Sequence, residues 1–236
     1  MEKEVQEVIN KINELRGKEF GQYIDYLINQ NDPKIMKNKE VLIAIAQRVN
    51  DYGYHQRIIK SKFEDIGLSM RDELDKIDQA KTMVFLEEHP ELSEIIDIAT
   101  KWWIEVIKKP YFANYNSQQM PIEMGIWFQP TPSEKKIEDR NNQMLTKEKE
   151  KAFVESLSYE IADRVRKEGS CKLSADTFGF DVLGKALEEA DLRVSFPKKI
   201  TMIVTTNQIK LSNSNNNLDI VYTNDSSKEN DSNKKM

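Results

Sequence analysis

Cysteine is almost missing from this chain. Cys171 stands alone among 236 residues, which excludes an intramolecular disulfide and a cysteine-built zinc site within one chain. Histidine is nearly as scarce: His55 and His89 lie far apart without metal-ligand spacing, so no metal centre is expected. Glycine and proline number only 8 and 7, too few for the turns of an all-β sandwich, and the chain reads as helical and globular. No stretch approaches eighteen uncharged apolar residues, and Met1 to Arg16 carries a charge every two or three positions where a signal peptide would be apolar. A cytoplasmic protein without membrane association is therefore expected. Neither a phosphate-cradling glycine loop nor a dinucleotide fingerprint occurs, and no cofactor is expected. An excess of positive charge is lacking too: 40 acidic against 35 basic residues give a net charge of -5, which argues against a surface built throughout for polyphosphate and leaves room for a local basic patch.

What is present is helical periodicity. Val5, Val8, Ile9, Ile12 and Leu15 recur at three- and four-residue spacing, Phe20, Tyr23, Ile24, Leu27 and Ile28 repeat the pattern up to Asp32-Pro33, and Val41 to Val49 marks a third helix over about 38–51. Further helices are expected over 55–66, 70–88, 91–108 and 147–167, the last ended by Gly169. Another, capped by Ser174, should run to about Ala190. Residues 111–128 hold Met120, Ile122, Met124, Ile126, Trp127 and Phe128 among polar neighbours and read as an ordered aromatic loop, with 129–146 as a mobile connection. The strand patterns are 200–206 and 208–212, a small hairpin that needs a helix or a second chain to stabilise it. The fold class is thus α+β and predominantly helical. An N-terminal helical bundle over 1–90 precedes a second helical unit over 91–212 that ends in the hairpin, and a polar disordered tail covers 213–236.

Three constellations invite a functional reading. The first is 40–66, a helix, a short glycine-containing turn and a second helix in a locally basic stretch. Its second helix offers His55, Gln56, Arg57, Lys60 and Ser61, side chains suited to phosphates and base edges. The spacing of Ile43, Ala46, Val49, Tyr54 and Phe63 resembles the second and third helices of Myb/SANT-like DNA-binding domains, which implies DNA contact through that second helix. The second is the adjacent pair Trp102 and Trp103, which on a helix point about 100° apart, so that one anchors the core while the other covers the following loop or a partner. With Tyr111, Phe112, Trp127 and Phe128 they form the candidate partner-binding set. The third, Asp176, Asp181, Glu188 and Glu189, lacks a completing histidine or serine and reads as a solvated face, so no catalytic residue is assigned.

The C-terminal half carries a longer pattern: the tryptophan-bearing helix, an asparagine-rich loop, an amphipathic helix, Asp176, Leu183 seven residues later, Ala186 and Ala190 on following turns, and Phe196-Pro197-Lys198-Lys199 leading to Met202. Over about 93–211 this resembles a family of uncharacterised phage and prophage proteins. The resemblance implies a phage-borne or prophage-borne accessory protein. The expected function is non-catalytic protein–protein interaction with a host or phage protein, in antagonism of a host defence system, and the alternative is a DNA-binding regulator using 40–66. An unpaired edge on the 200–212 hairpin is expected to make a homo-oligomer.

Overall fold

The structure is a computed structural model that describes residues 3–49, 53–110, 131–175, 181–196, 200–212 and 218–223. The chain divides into two compact units, 1–81 and 82–236, where a boundary at 90/91 was expected. Each has its own apolar core. The fold is α+β and predominantly helical, as its periodicity predicts.

The first unit holds α1 (Lys3–Glu14), α2 (Gly17–Gln30), α3 (Pro33–Met36), α4 (Lys39–Ala46), α5 (Gly53–Asp65) and the first part of α6 (Met70–Glu88). Asp32-Pro33 ends α2 as expected, but it also starts α3: the Asp32 carboxylate accepts the Lys34 N–H, and Pro33 occupies a first-turn position where its missing donor costs nothing. Asn38 caps α4 through the N–H groups of Glu40 and Val41. Helix α4 ends at Ala46, short of the expected 51, and is buried nearly all round through Val41, Leu42, Ala44, Ile45 and Ala46. It packs against α1 and α5, with Ile12, Ile24, Met36, Ile59 and Phe63 completing the core. Glu73 of α6, only 5% exposed, is held by Lys39 and Lys76 at 2.8 Å each.

The second unit contains the rest of α6, then α7 (Pro90–Lys108), α8 (Pro132–Met144), α9 (Lys147–Glu168), β1 (Ser170–Ser174), α10 (Val182–Glu189), β2 (Thr201–Thr205), β3 (Gln208–Ser212) and β4 (Leu218–Thr223). The expected hairpin is real, but it forms the middle of a four-stranded antiparallel sheet in the order β1-β2-β3-β4. Four expectations change as a result. Ser174 closes a strand in place of capping a helix; Asp181 caps α10 by accepting the Gly184 N–H at 2.7 Å. Residues 218–223, assigned to a disordered tail, pair with β3 because Val221 and Tyr222 have an apolar surface to cover; the rest of the expected tail lies outside the described residues. The open edge expected at 200–212 is filled on both sides by β1 and β4. Finally, most of the expected mobile connection 129–146 is α8, which Thr131 and Glu134 start with a reciprocal capping box.

Cys171, Leu173, Met202, Val204, Ile209 and Leu211 alternate onto the sheet's inner face, where α7 and α9 pack. A shift in the β3–β4 register pairs Ile209 with Tyr222 but Lys210 with Ile220, leaving Val221 as an extra residue, so Val221 and Tyr222 both turn to the core. Gly169 takes φ 75° to end α9, a conformation that favours glycine. Asn141 of α8 is fully buried and donates to the Ile107 and Ser195 carbonyls while accepting the Ser195 N–H. Among the described residues no helix is long and apolar enough to cross a membrane.

Candidate functional site

The side chains of α2 sort by spacing. Phe20, Ile24 and Leu27 turn inward, while Tyr23 and Tyr26, three residues apart and one strip further round the helix, meet at the surface. Their rings stack at 6.1 Å with planes 15° apart. Lys11 of α1 reaches across so that its Nζ stands 4.5 Å above the Tyr23 ring, an attraction between a cation and the negative face of the ring. Val8, Leu27 and Ile35 floor the groove between α1, α2 and α3, and Glu4 and Asp32 stand at its rim. The groove encloses ≈ 430 Å³ and is open on one side. Tyr26 is 55% exposed. Burial, with the Tyr26 phenol beside it, pushes the Tyr23 hydroxyl above its ordinary value, so it remains a neutral donor at any physiological pH. The groove thus joins an aromatic pair and an aliphatic floor, with charge of both signs at the edge.

On α5 the expected nucleic-acid residues Gln56, Arg57, Lys60 and Ser61 do share one exposed face. His55 does not join them. It is buried, and its Nε2 lies 2.8 Å from Asp25 Oδ1 of α2, so it ties two helices together. The Arg57 guanidinium is drawn back to the Gly53 carbonyl at 3.0 Å, and the exposed Glu64 and Asp65 follow on the same helix. The face is therefore mixed in sign beyond its first two turns.

The tryptophan pair separates as its 100° offset requires. Trp103 is fully buried and meets Phe196 edge-on at 5.9 Å, so it belongs to the core and offers nothing to a partner. Trp102 is half-buried and packs edge-on against it at 5.1 Å. Tyr111, Phe112, Trp127 and Phe128, with the 111–128 loop that carries them, lie outside the described residues, as does Asp176.

Two of the remaining carboxylates have structural partners. Asp181 caps α10, and Glu189 accepts the Ser156 hydroxyl. Burial pushes the Cys171 thiol up to about 12, far from the range in which a thiolate attacks. Among the described residues no three His, Cys, Asp or Glu side chains gather as a metal site. Reading the sequence missed the tyrosine groove. The signal was the i, i+3 tyrosines; the 3.6-residue pattern absorbed Tyr23 into the core face and passed over Tyr26. Compared with protein-family models, with curated proteins and with solved structures, the chain matches none.

Proposed function

We propose that this chain acts by binding another protein, and that it is a phage or prophage accessory protein, cytoplasmic, which occupies a component of a host defence system. The observation that carries the binding role is the stacked Tyr23–Tyr26 pair over the Val8, Leu27 and Ile35 floor. The phage setting draws on the resemblance of residues 93–211. The occupant of the groove is an apolar side chain of the partner with a basic neighbour: the floor takes the apolar group, and Glu4 and Asp32 at the rim face the cation. Lys11 is already engaged by Tyr23. A photo-crosslinking amino acid at position 26, introduced in the native host, identifies the partner by mass spectrometry. With that partner purified, Tyr26→Ala is expected to weaken binding by about tenfold or more. A folded Tyr26→Ala protein that binds the crosslinked partner as tightly as the unaltered chain overturns the reading.

A second reading, a DNA-binding regulator, is favoured by one observation: Gln56, Arg57, Lys60 and Ser61 lie together on the exposed face of α5. It predicts that Arg57→Ala with Lys60→Ala weakens duplex binding and lowers its salt dependence by about one unit per lost phosphate contact. Absence of any retardation of duplex DNA at low salt ends it.

A further inference from the structure

The outer face of the sheet carries a pattern that its inner face does not explain. The register aligns Lys172 of β1 with Ile203 of β2, Ile203 with Lys210 of β3, and Lys210 with Ile220 of β4. Four strands thus present one continuous row, Lys–Ile–Lys–Ile, opposite the face that packs on the helices. Lys172 is exposed and Ile220 is 57% exposed; Ile203 and Lys210 between them are half-buried. Hydroxyl and amide groups flank the row, from Ser170, Thr205, Gln208 and Thr223 on one side to Ser174, Thr201 and Ser212 on the other.

Many lysines on the helices of the same unit are paired with carboxylates. There Lys101 is held by Asp97, Lys108 by Glu150, Lys149 by Asp191, Lys167 by Asp163 and Lys185 by Glu160. Lys172 and Lys210, like Lys135, Lys136 and Lys147 of the helices, have no carboxylate partner among the described residues; what is particular to them is that they flank Ile203 in one row of the sheet. A chain of net charge -5 therefore carries two uncompensated cations on either side of an isoleucine. Strands lie about 4.8 Å apart, so the two lysines, two strands from each other, stand about 10 Å apart at the backbone.

We infer that this face docks an acidic segment of a partner protein, one with carboxylates about 10 Å apart on either side of an apolar side chain. The carboxylates pair with Lys172 and Lys210, the apolar group rests on Ile203, and a second apolar group reaches Ile220. A nucleic acid fits less well. Half of the row is aliphatic, and no aromatic ring on it stacks a base. This surface belongs to the second unit and is independent of the tyrosine groove of the first.

The test uses the full chain and a fluorescent peptide with two glutamates seven residues apart and leucines between them, prepared both as a stapled helix and unconstrained. Seven helical residues rise about 10.5 Å, which matches the lysine separation. Anisotropy at low salt is expected to show saturable binding of at least one form. Lys172→Glu with Lys210→Glu is expected to weaken it about tenfold or more, and a peptide with lysines in place of the glutamates to restore binding to that variant. Circular dichroism confirms that the variant is folded, since both changes are on the surface. Binding of neither form, or equal binding by the variant, overturns the inference. So does stronger binding of a single-stranded oligonucleotide that the same variant loses. Tyr26→Ala leaves the peptide titration unchanged, which separates this surface from the groove.

Discussion

At the scale of single residues, polar groups satisfied at a distance tie together elements within each unit. Asn141 is the clearest case: one amide joins the C-terminal end of α7 to the segment before β2 by three hydrogen bonds. Asn141→Leu leaves the Ser195 N–H and two carbonyls without that partner, and we expect a loss of about 3 kcal/mol, measured by urea unfolding of the full chain; a loss below about 1 kcal/mol would mean that water replaces the amide. Glu73 gives the pH dependence. Hydrogen bonds from Lys39 and then Lys76 hold its carboxyl below the ordinary value of 4.5. Its contribution is complete above that value and is lost as pH falls through the lower folded value. Glu73→Gln should therefore be less stable than the parent at pH 7 and should show a shallower loss on acidification below pH 4.5, read from thermal midpoints across that range. His55 shows why such residues were hard to assign beforehand. Periodicity placed it near the exposed face of α5, and its partner Asp25 lies thirty positions away in sequence.

Among the elements, those with a strong local signal were legible and those completed by distant pairing were not. Helix α7 announces itself by Pro90 and a broad apolar stripe, and α9 by its period and Gly169. Helix α8 is so polar that its composition reads as a connection, although Thr131-Pro132-Ser133-Glu134 spells a capping box. Strand β1 has five residues, too few to outweigh the helical pattern around it, and β4 is surrounded by asparagine and serine. Both gain their identity from β2 and β3. The groove on α1 to α3 was illegible for the same reason, since it depends on three helices meeting. Pairing also changes what a proline does. Val204 sits on β2 between β1 and β3, opposite Cys171 and Ile209. Val204→Pro removes a ladder donor from an interior strand, so we expect it to unfold the second unit; near-ultraviolet dichroism from the buried Trp103 reads this out. A native spectrum together with a smaller molecular mass would instead restore the idea that this strand joins subunits.

For the molecule as a whole, the two cores are separate sets of residues, one centred on Phe63, Leu42 and Ile45, the other on Trp103, Phe153 and the inner face of the sheet. Phe63→Ala and Phe153→Ala should each cost about 3–5 kcal/mol, and each cost should fall first on its own unit. The single cysteine turns this into a measurement. Cys171 lies wholly inside the second unit, with its thiol pushed up to about 12 by burial, so in the closed state a thiol reagent finds neither access nor thiolate. Modification must wait for the sheet to open, and under conditions where closing outruns the reagent, the labelling rate is the product of the opening equilibrium and the free-thiol rate. The chain thus carries its own stopwatch. Phe153→Ala should speed labelling by two orders of magnitude or more, while Phe63→Ala should leave it unchanged; equal acceleration by both would show that the two cores open as one.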